Sequence, residues 1–173
     1  IVRDALGARA ATLPFVKNAV FEDRRLLHAI HVACGDMDHV LEPTALDDVA
    51  VLLADGLLAN NASVHRPASA LIDWRALDRA RAYLDANFNR TVTSDELERI
   101  TGQDRFALAR QFRGAYGTSP YRYLLMRRLD RARADIAAGL GLADAAVAAD
   151  FSDQSHMTRR FKATYGLAPG QWQ

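Results

Sequence analysis

The sequence of 173 residues predicts an all-α fold: two helix-turn-helix units joined by a long connector helix and preceded by a small helical hairpin segment. Three observations lead there. The stretch from Phe106 to Pro120 lies over the stretch from Ser155 to Pro169 at an offset of 49 positions (155 against 106), pairing Arg110 with Arg159, Phe112 with Phe161, Tyr116 with Tyr165, Gly117 with Gly166 and Pro120 with Pro169. Two copies are too few for a stacked solenoid, so the repeat sets two similar surfaces at a fixed separation. Apolar residues recur at helical spacing between cap-type residues and glycine stops. Finally, 50% of the residues are hydrophobic, enough for a packed core and against disorder.

The elements follow in order. Phe21, Leu26, Leu27, Ile30 and Val32 before Gly35 predict a first helix. Leu46, Val49, Leu52, Leu53, Leu57 and Leu58 predict a second, opening near Pro43-Thr44 and ending at Asn60-Asn61. These two should pair with each other, self-associate through their leftover apolar stripes, and make few contacts with the rest of the chain. After Asp73, an N-cap, Leu77, Ala80, Leu84 and Phe88 share one helical face. Thr93-Ser-Asp-Glu96 is a capping box opening a short helix with Leu97 and Ile100. Gly102-Gln103 turns the chain, Asp104 caps the next helix, and Gly117 ends it. The second copy runs from about Leu142 to Ala149, turns at Asp150 to Ser152, and continues from the cap Asp153 to Tyr165. Helix, short turn and helix are the parts of a helix-turn-helix. Between the copies, Ser119 to Ala138 reads as a continuous helix of roughly 30 Å, at about 1.5 Å per residue. Successive major-groove faces of duplex DNA lie about 34 Å apart, so such a rod suits two units on adjacent groove turns.

The net charge of +1 hides an asymmetry. Residues 1–73 hold 6 Lys+Arg against 10 Asp+Glu and residues 74–173 hold 16 against 11, so the halves carry −4 and +5. Most of the second-half cations are arginines, suited to phosphate and guanine edges. The single cysteine, Cys34, excludes an intrachain disulfide framework and suits a reducing, cytoplasmic setting. No apolar run reaches the length of a membrane span. A chain opening with Ile1 is expected to be a fragment of a longer polypeptide. No glycine-rich phosphate loop, nucleophile elbow or His-Glu-x-x-His pattern is present, so an enzyme is not expected.

Arg110-Gln-Phe-Arg with Gly117-Thr-Ser-Pro-Tyr-Arg-Tyr-Leu124, Arg128-Leu-Asp-Arg-Ala-Arg133, and Asp150-Phe-Ser-Asp-Gln-Ser155 before Arg159-Arg-Phe-Lys162 resemble the DNA-binding domain of AraC/XylS-type transcription regulators, over residues 74–173. More weakly, residues 12–65 are similar to the helical end of the regulatory domain that precedes this module in many members. The resemblance implies a helical remnant of an N-terminal regulatory and dimerisation domain at 1–65, a linker at 66–73, and a double helix-turn-helix at 74–173. It also implies double-stranded DNA as partner, RNA polymerase as a candidate partner of an activator, a small-molecule effector bound by the largely absent N-terminal part, a homodimer, and no cofactor. Two positions depart from the family pattern. Asp150 stands where Gly is usual in the second turn, and Glu98 stands where a small Ala usually faces the recognition helix, so either the first unit packs loosely or Glu98 tips outward.

A DNA-reading helix needs one anchoring face and one polar or basic face. In the first unit Leu108 and Phe112 are spaced for the core, leaving Arg105, Phe106, Ala109, Arg110 and Arg113 towards the groove. Arg110 is the expected guanine reader, Phe106 and Ala109 are placed for thymine methyls, and Arg105 and Arg113 for phosphates. In the second unit Met157 and Phe161 anchor, with Gln154, Ser155, Thr158 and Arg159 outward. Gln154 suits adenine and Arg159 guanine. Tyr116 and Tyr165 are assigned to the core. The alternatives are a helical metal-binding module, from His28-x-x-His31-x-x-Cys34 with Asp36, Asp38 and His39 close behind, and a protein-interaction module; zinc-finger and ribbon spacings are not met.

Overall fold

In a computed structural model the described residues are 1–7, 14, 16, 21–35, 37–61 and 72–172, and they form nine α-helices and a 3-10 turn, with no strand among them. Most of the expected linker at 66–73 lies outside the described residues.

Helix α1 spans Val2–Leu6. Helix α2, Arg24–Cys34, starts where the Asp23 carboxylate accepts the backbone N–H groups of Arg25 (2.8 Å) and Leu26 (3.4 Å). Helix α3, Pro43–Ala59, opens with proline at its first turn, where a missing N–H costs nothing. The three pack together, and Leu26 lies against Gly56 so closely that a Cβ there would stand 2.6 Å from it.

Helices α4 (Trp74–Ala86), α5 (Ser94–Thr101) and α6 (Arg105–Tyr116) build the first unit around Leu77, Leu84, Val92, Leu97, Leu108 and Phe112. The capping box is formed: Thr93 N–H donates to Glu96 (2.9 Å) and Glu96 N–H to the Thr93 hydroxyl (3.3 Å). The connector α7 is Pro120–Ala137, 18 residues, with the Ser119 hydroxyl accepting the Arg122 N–H at 3.3 Å. Its length is about 27 Å at about 1.5 Å per residue. Helices α8 (Leu142–Ala148) and α9 (Gln154–Tyr165) pack on its far end through Leu129, Ile136, Ala146, Phe151, Met157 and Phe161. Gly117 and Gly166, equivalent in the repeat, end α6 and α9 with φ of 70° and 77°, a conformation a side chain would strain.

Tyr116 and Tyr165 are only half-buried, because each phenol reaches a rim carboxylate, Asp78 at 3.2 Å and Asp130 at 3.0 Å. Burial, followed by Asp130, pushes the Tyr165 phenol up to about 12.

The expectation of few contacts between the hairpin and the rest of the chain is overturned. Helix α3 packs on α6 and α7 as well as on α2. The reason is its composition: Ala45, Ala50, Val51 and Ala54 are buried small residues that let a second helix approach closely on a second face. Ala5, Leu6, Ala50, Val51 and Ala54 form one cluster with Phe106 and Ala109 of α6. Val32 and Ala45 form another with Tyr121 of α7.

Candidate nucleic-acid interface

Helices α6 and α9 are capped alike. Asp104 accepts the N–H groups of Phe106 and Ala107 at 3.0 Å each, and Asp153 accepts that of His156 at 2.7 Å. The His156 N–H, then His39, holds the Asp153 carboxyl down at about 2. Both helices seat Leu108 and Phe112, or Met157 and Phe161, in their cores as the periodicity predicts. The remaining faces differ in a way that the repeat does not foretell.

On α9, Gln154, Ser155 and Arg159 are exposed and Thr158 is half-exposed. On α6, Phe106 and Ala109 are 7% and 3% exposed, covered by α1 and α3. Arg110 donates to the Ala5 carbonyl at 3.0 Å. Arg113 pairs with the Asp48 carboxylate, which is itself buried and also accepts the Ser119 hydroxyl at 2.8 Å. Burial lowers the Arg113 pKa, but a guanidinium starts high enough to remain cationic. Arg105 turns back on its own unit, with Nε to Glu98 at 3.0 Å and an Nη to Asp95 at 2.5 Å. Arg105 and Glu98 favour each other's ionised forms: the Arg105 pKa moves up, chiefly through Glu98, and that of Glu98 moves down, chiefly through Arg105. Glu98 therefore tips to the rim and finds a cation, which accounts for its departure from a small residue. All five outward residues expected on the first unit are brought to one surface, and that surface is occupied by carboxylates, a carbonyl and apolar side chains of the same chain.

The N-terminal segment also reaches the second unit, at His39. His39, between α2 and α3, has Nε2 2.9 Å from Asp153 and Nδ1 3.1 Å from an Arg159 Nη. A guanidinium can only donate, so His39 Nδ1 accepts and its proton lies on Nε2, donated to Asp153. The His39 ring stacks on His156 with centroids 4.8 Å apart. The two arginines that the repeat makes equivalent, Arg110 and Arg159, are thus each held by the N-terminal segment, one through Ala5 and one through His39.

Sequence reasoning gave Asp48, His39 and Arg128 no part in holding the DNA-reading faces. Arg128 is 2% exposed and binds Glu42 (2.6 Å), Asp150 (2.6 Å) and the carbonyls of Phe88 (2.9 Å) and Arg90 (3.1 Å). A signal was present: Arg128 lies in the i, i+4 row of Leu124, Ala132 and Ile136, all buried. Among the described residues no three His, Cys, Asp or Glu side chains gather as a metal site, and Cys34 is exposed, so the metal-binding alternative has no geometric support. No helix of the described residues is long and apolar enough to cross a membrane.

Comparison with known proteins agrees with the fold. A helix-turn-helix domain family matches residues 97–173. The chain is 30% identical over 130 residues to the transcriptional activator NphR of a Rhodococcus species, covering 73% of this chain and 36% of that protein. It is 36% identical over 75 residues to the HTH-type transcriptional regulator YbfI of Bacillus subtilis, covering 43% and 27%. The chain thus spans about a third of the length of these curated relatives. Among solved structures, a probable AraC family transcriptional regulator from Rhodopseudomonas palustris superposes with a TM-score of 0.53 at 25% identity, over 57% of this chain and 94% of that one. The C-terminal domain of AraT, a response regulator from Geobacillus stearothermophilus, shares the fold with a TM-score of 0.54 at 20% identity, over 60% and 86%.

Proposed function

The chain belongs to the AraC/XylS-type, DNA-binding transcription regulators through its carboxyl-terminal domain, and from that premise we propose that it reads two adjacent major-groove segments with α6 and α9. The observation that carries this reading is the equivalence of Arg110 and Arg159 on two similarly capped helices at the two ends of one helical rod. Arg159 and Gln154 are assigned to base edges of one segment, and Arg110 to the other. Ser155, Thr158, Phe106 and Ala109 supply shorter contacts, and Arg105 and Arg113 reach phosphates once their intramolecular carboxylates let go. The chain is a reader of duplex DNA and not a catalyst.

Binding by the first unit requires α1 and α3 to leave α6. Two features of that seam favour its opening. The Thr44 hydroxyl is buried there without a hydrogen-bond partner in the structure, which costs free energy in the closed form. The Asp48–Arg113 pair is part-buried, and such pairs contribute more to geometry than to net stability. An effector site, a dimer interface and contact with RNA polymerase are proposed from family membership alone. Selecting bound duplexes from a random pool tests the reading: a site with two conserved patches about one helical turn apart is expected. Recovery of no preferred sequence overturns it.

A further inference from the structure

The seam between the hairpin and the first unit also encloses an open cleft of about 480 Å³, with Arg24, Arg25 and His28 of α2 on one wall and Arg113, Thr118 and Arg122 of the α6–α7 corner on the other. Five of these six groups are basic. Arg25 is committed to Asp23, at 3.0 and 2.5 Å, and Arg113 to Asp48. Arg24 and Arg122 are exposed, and no carboxylate of the described residues stands within ion-pair distance of either. On the α2 wall, the His28 pKa is lowered first by burial and then by Arg122 and Arg113 of the facing wall, so the space is electropositive.

We propose that this cleft binds a small organic anion whose carboxylate or phosphate groups bridge Arg24 to Arg122, and that the anion acts as a clamp on the closed seam. Arginine is the side chain suited to such oxyanions, and the volume falls in the range of small-molecule sites. The two walls belong to segments that must separate for α6 to reach DNA, a point that rests on the function proposed above. An anion that needs both walls binds only the closed arrangement. By linkage it must then weaken duplex binding by the factor with which duplex weakens anion binding.

The test uses the whole chain and inorganic phosphate as probe, with succinate as the carboxylate counterpart, against chloride at matched ionic strength. The His28 ring resonances are followed by NMR. Saturable shifts are expected with phosphate or succinate, absent in Arg24→Ala and retained in Arg24→Lys. Duplex affinity of the wild type should fall about fivefold or more at saturating anion and not change in Arg24→Ala. Three results overturn the proposal: no saturable shift at His28, an equal loss of duplex affinity in Arg24→Ala, or a loss of duplex binding on Arg24→Ala alone, which would make the cleft a seat for the DNA backbone. If the chain binds no duplex at all, the function proposed above fails, while the His28 titration still decides the cleft.

Discussion

Arg128 of the connector and Asp150 of the second turn meet at 2.6 Å, although Asp150 holds a backbone φ of 58°, the one positive value outside glycine among the described residues. The aspartate tolerates a turn position made for glycine, and its carboxylate covers part of the buried Arg128 side chain. Removing Arg128 would strand Glu42 and Asp150 and free the Phe88 and Arg90 carbonyls. Arg128→Met is expected to cost about 3 kcal/mol or more, as for other broken buried pairs. Asp150→Gly relieves the backbone while losing the charge, and Asp150→Ala loses the charge and keeps the strain. Urea denaturation should therefore find Asp150→Ala less stable than Asp150→Gly by about 1–2 kcal/mol; equal stabilities would show that the turn is unstrained.

The elements were legible in the sequence because each carries its own signals: Asp73, Thr93, Asp104 and Asp153 all cap where their spacing predicts. The cores of both units follow from the same periodicity. The covering of α6 was not legible. Phe106, Ala109, Arg110 and Arg113 have the composition of a groove-facing surface, and nothing local distinguishes a face that meets DNA from one that meets Asp48 and Ala5 of the same chain. Asp48 itself hides in an acidic pair on α3, and only tertiary packing selects it over Asp47 for burial.

Asp48 occupies on Arg113 the place that a phosphate is proposed to take. Asp48→Asn keeps the shape and the Ser119 hydrogen bond but removes the charge, leaving a part-buried guanidinium with weaker compensation in the closed form only. Duplex affinity at fixed salt should rise roughly tenfold. An affinity equal to the wild type's, measured by fluorescence anisotropy, would mean that the Arg113 pair does not hold the seam.

Acid should act on α9 through its cap. The Asp153 carboxyl stands at about 2 because the His156 N–H, and after it His39, favour the charged form. A depressed carboxyl contributes stability that is present above the ordinary value, about 3.9, and is lost as pH falls through the folded one. Helicity of the wild type should therefore decline between about pH 4 and 2 more steeply than that of Asp153→Asn, which has no carboxylate to lose. Superimposable acid titrations by circular dichroism would remove Asp153 from this role.

The two recognition faces should also engage DNA in sequence. Gln154, Ser155 and Arg159 are exposed, and His39 meets α9 at its cap Asp153 (2.9 Å), at Arg159 (3.1 Å) and by stacking on His156, whereas α6 is under two helices. Docking α9 therefore disturbs exposed polar contacts of His39. Docking α6 costs the apolar burial of Phe106 and Ala109, the Arg110–Ala5 bond and the Asp48 pair. On a duplex carrying both half-sites, footprinting should show the α9 patch protected at lower protein concentration than the α6 patch, with Asp48→Asn drawing the two midpoints together. Arg159→Ala should lose about 1–3 kcal/mol of specific binding in the wild-type background. Arg110→Ala should lose less, because it removes a closed-form bond to Ala5 along with its contact to DNA, and should approach the same loss only in Asp48→Asn. If both patches appear together in the wild type, and both alanine variants lose equally there, α1 and α3 do not restrain the first unit.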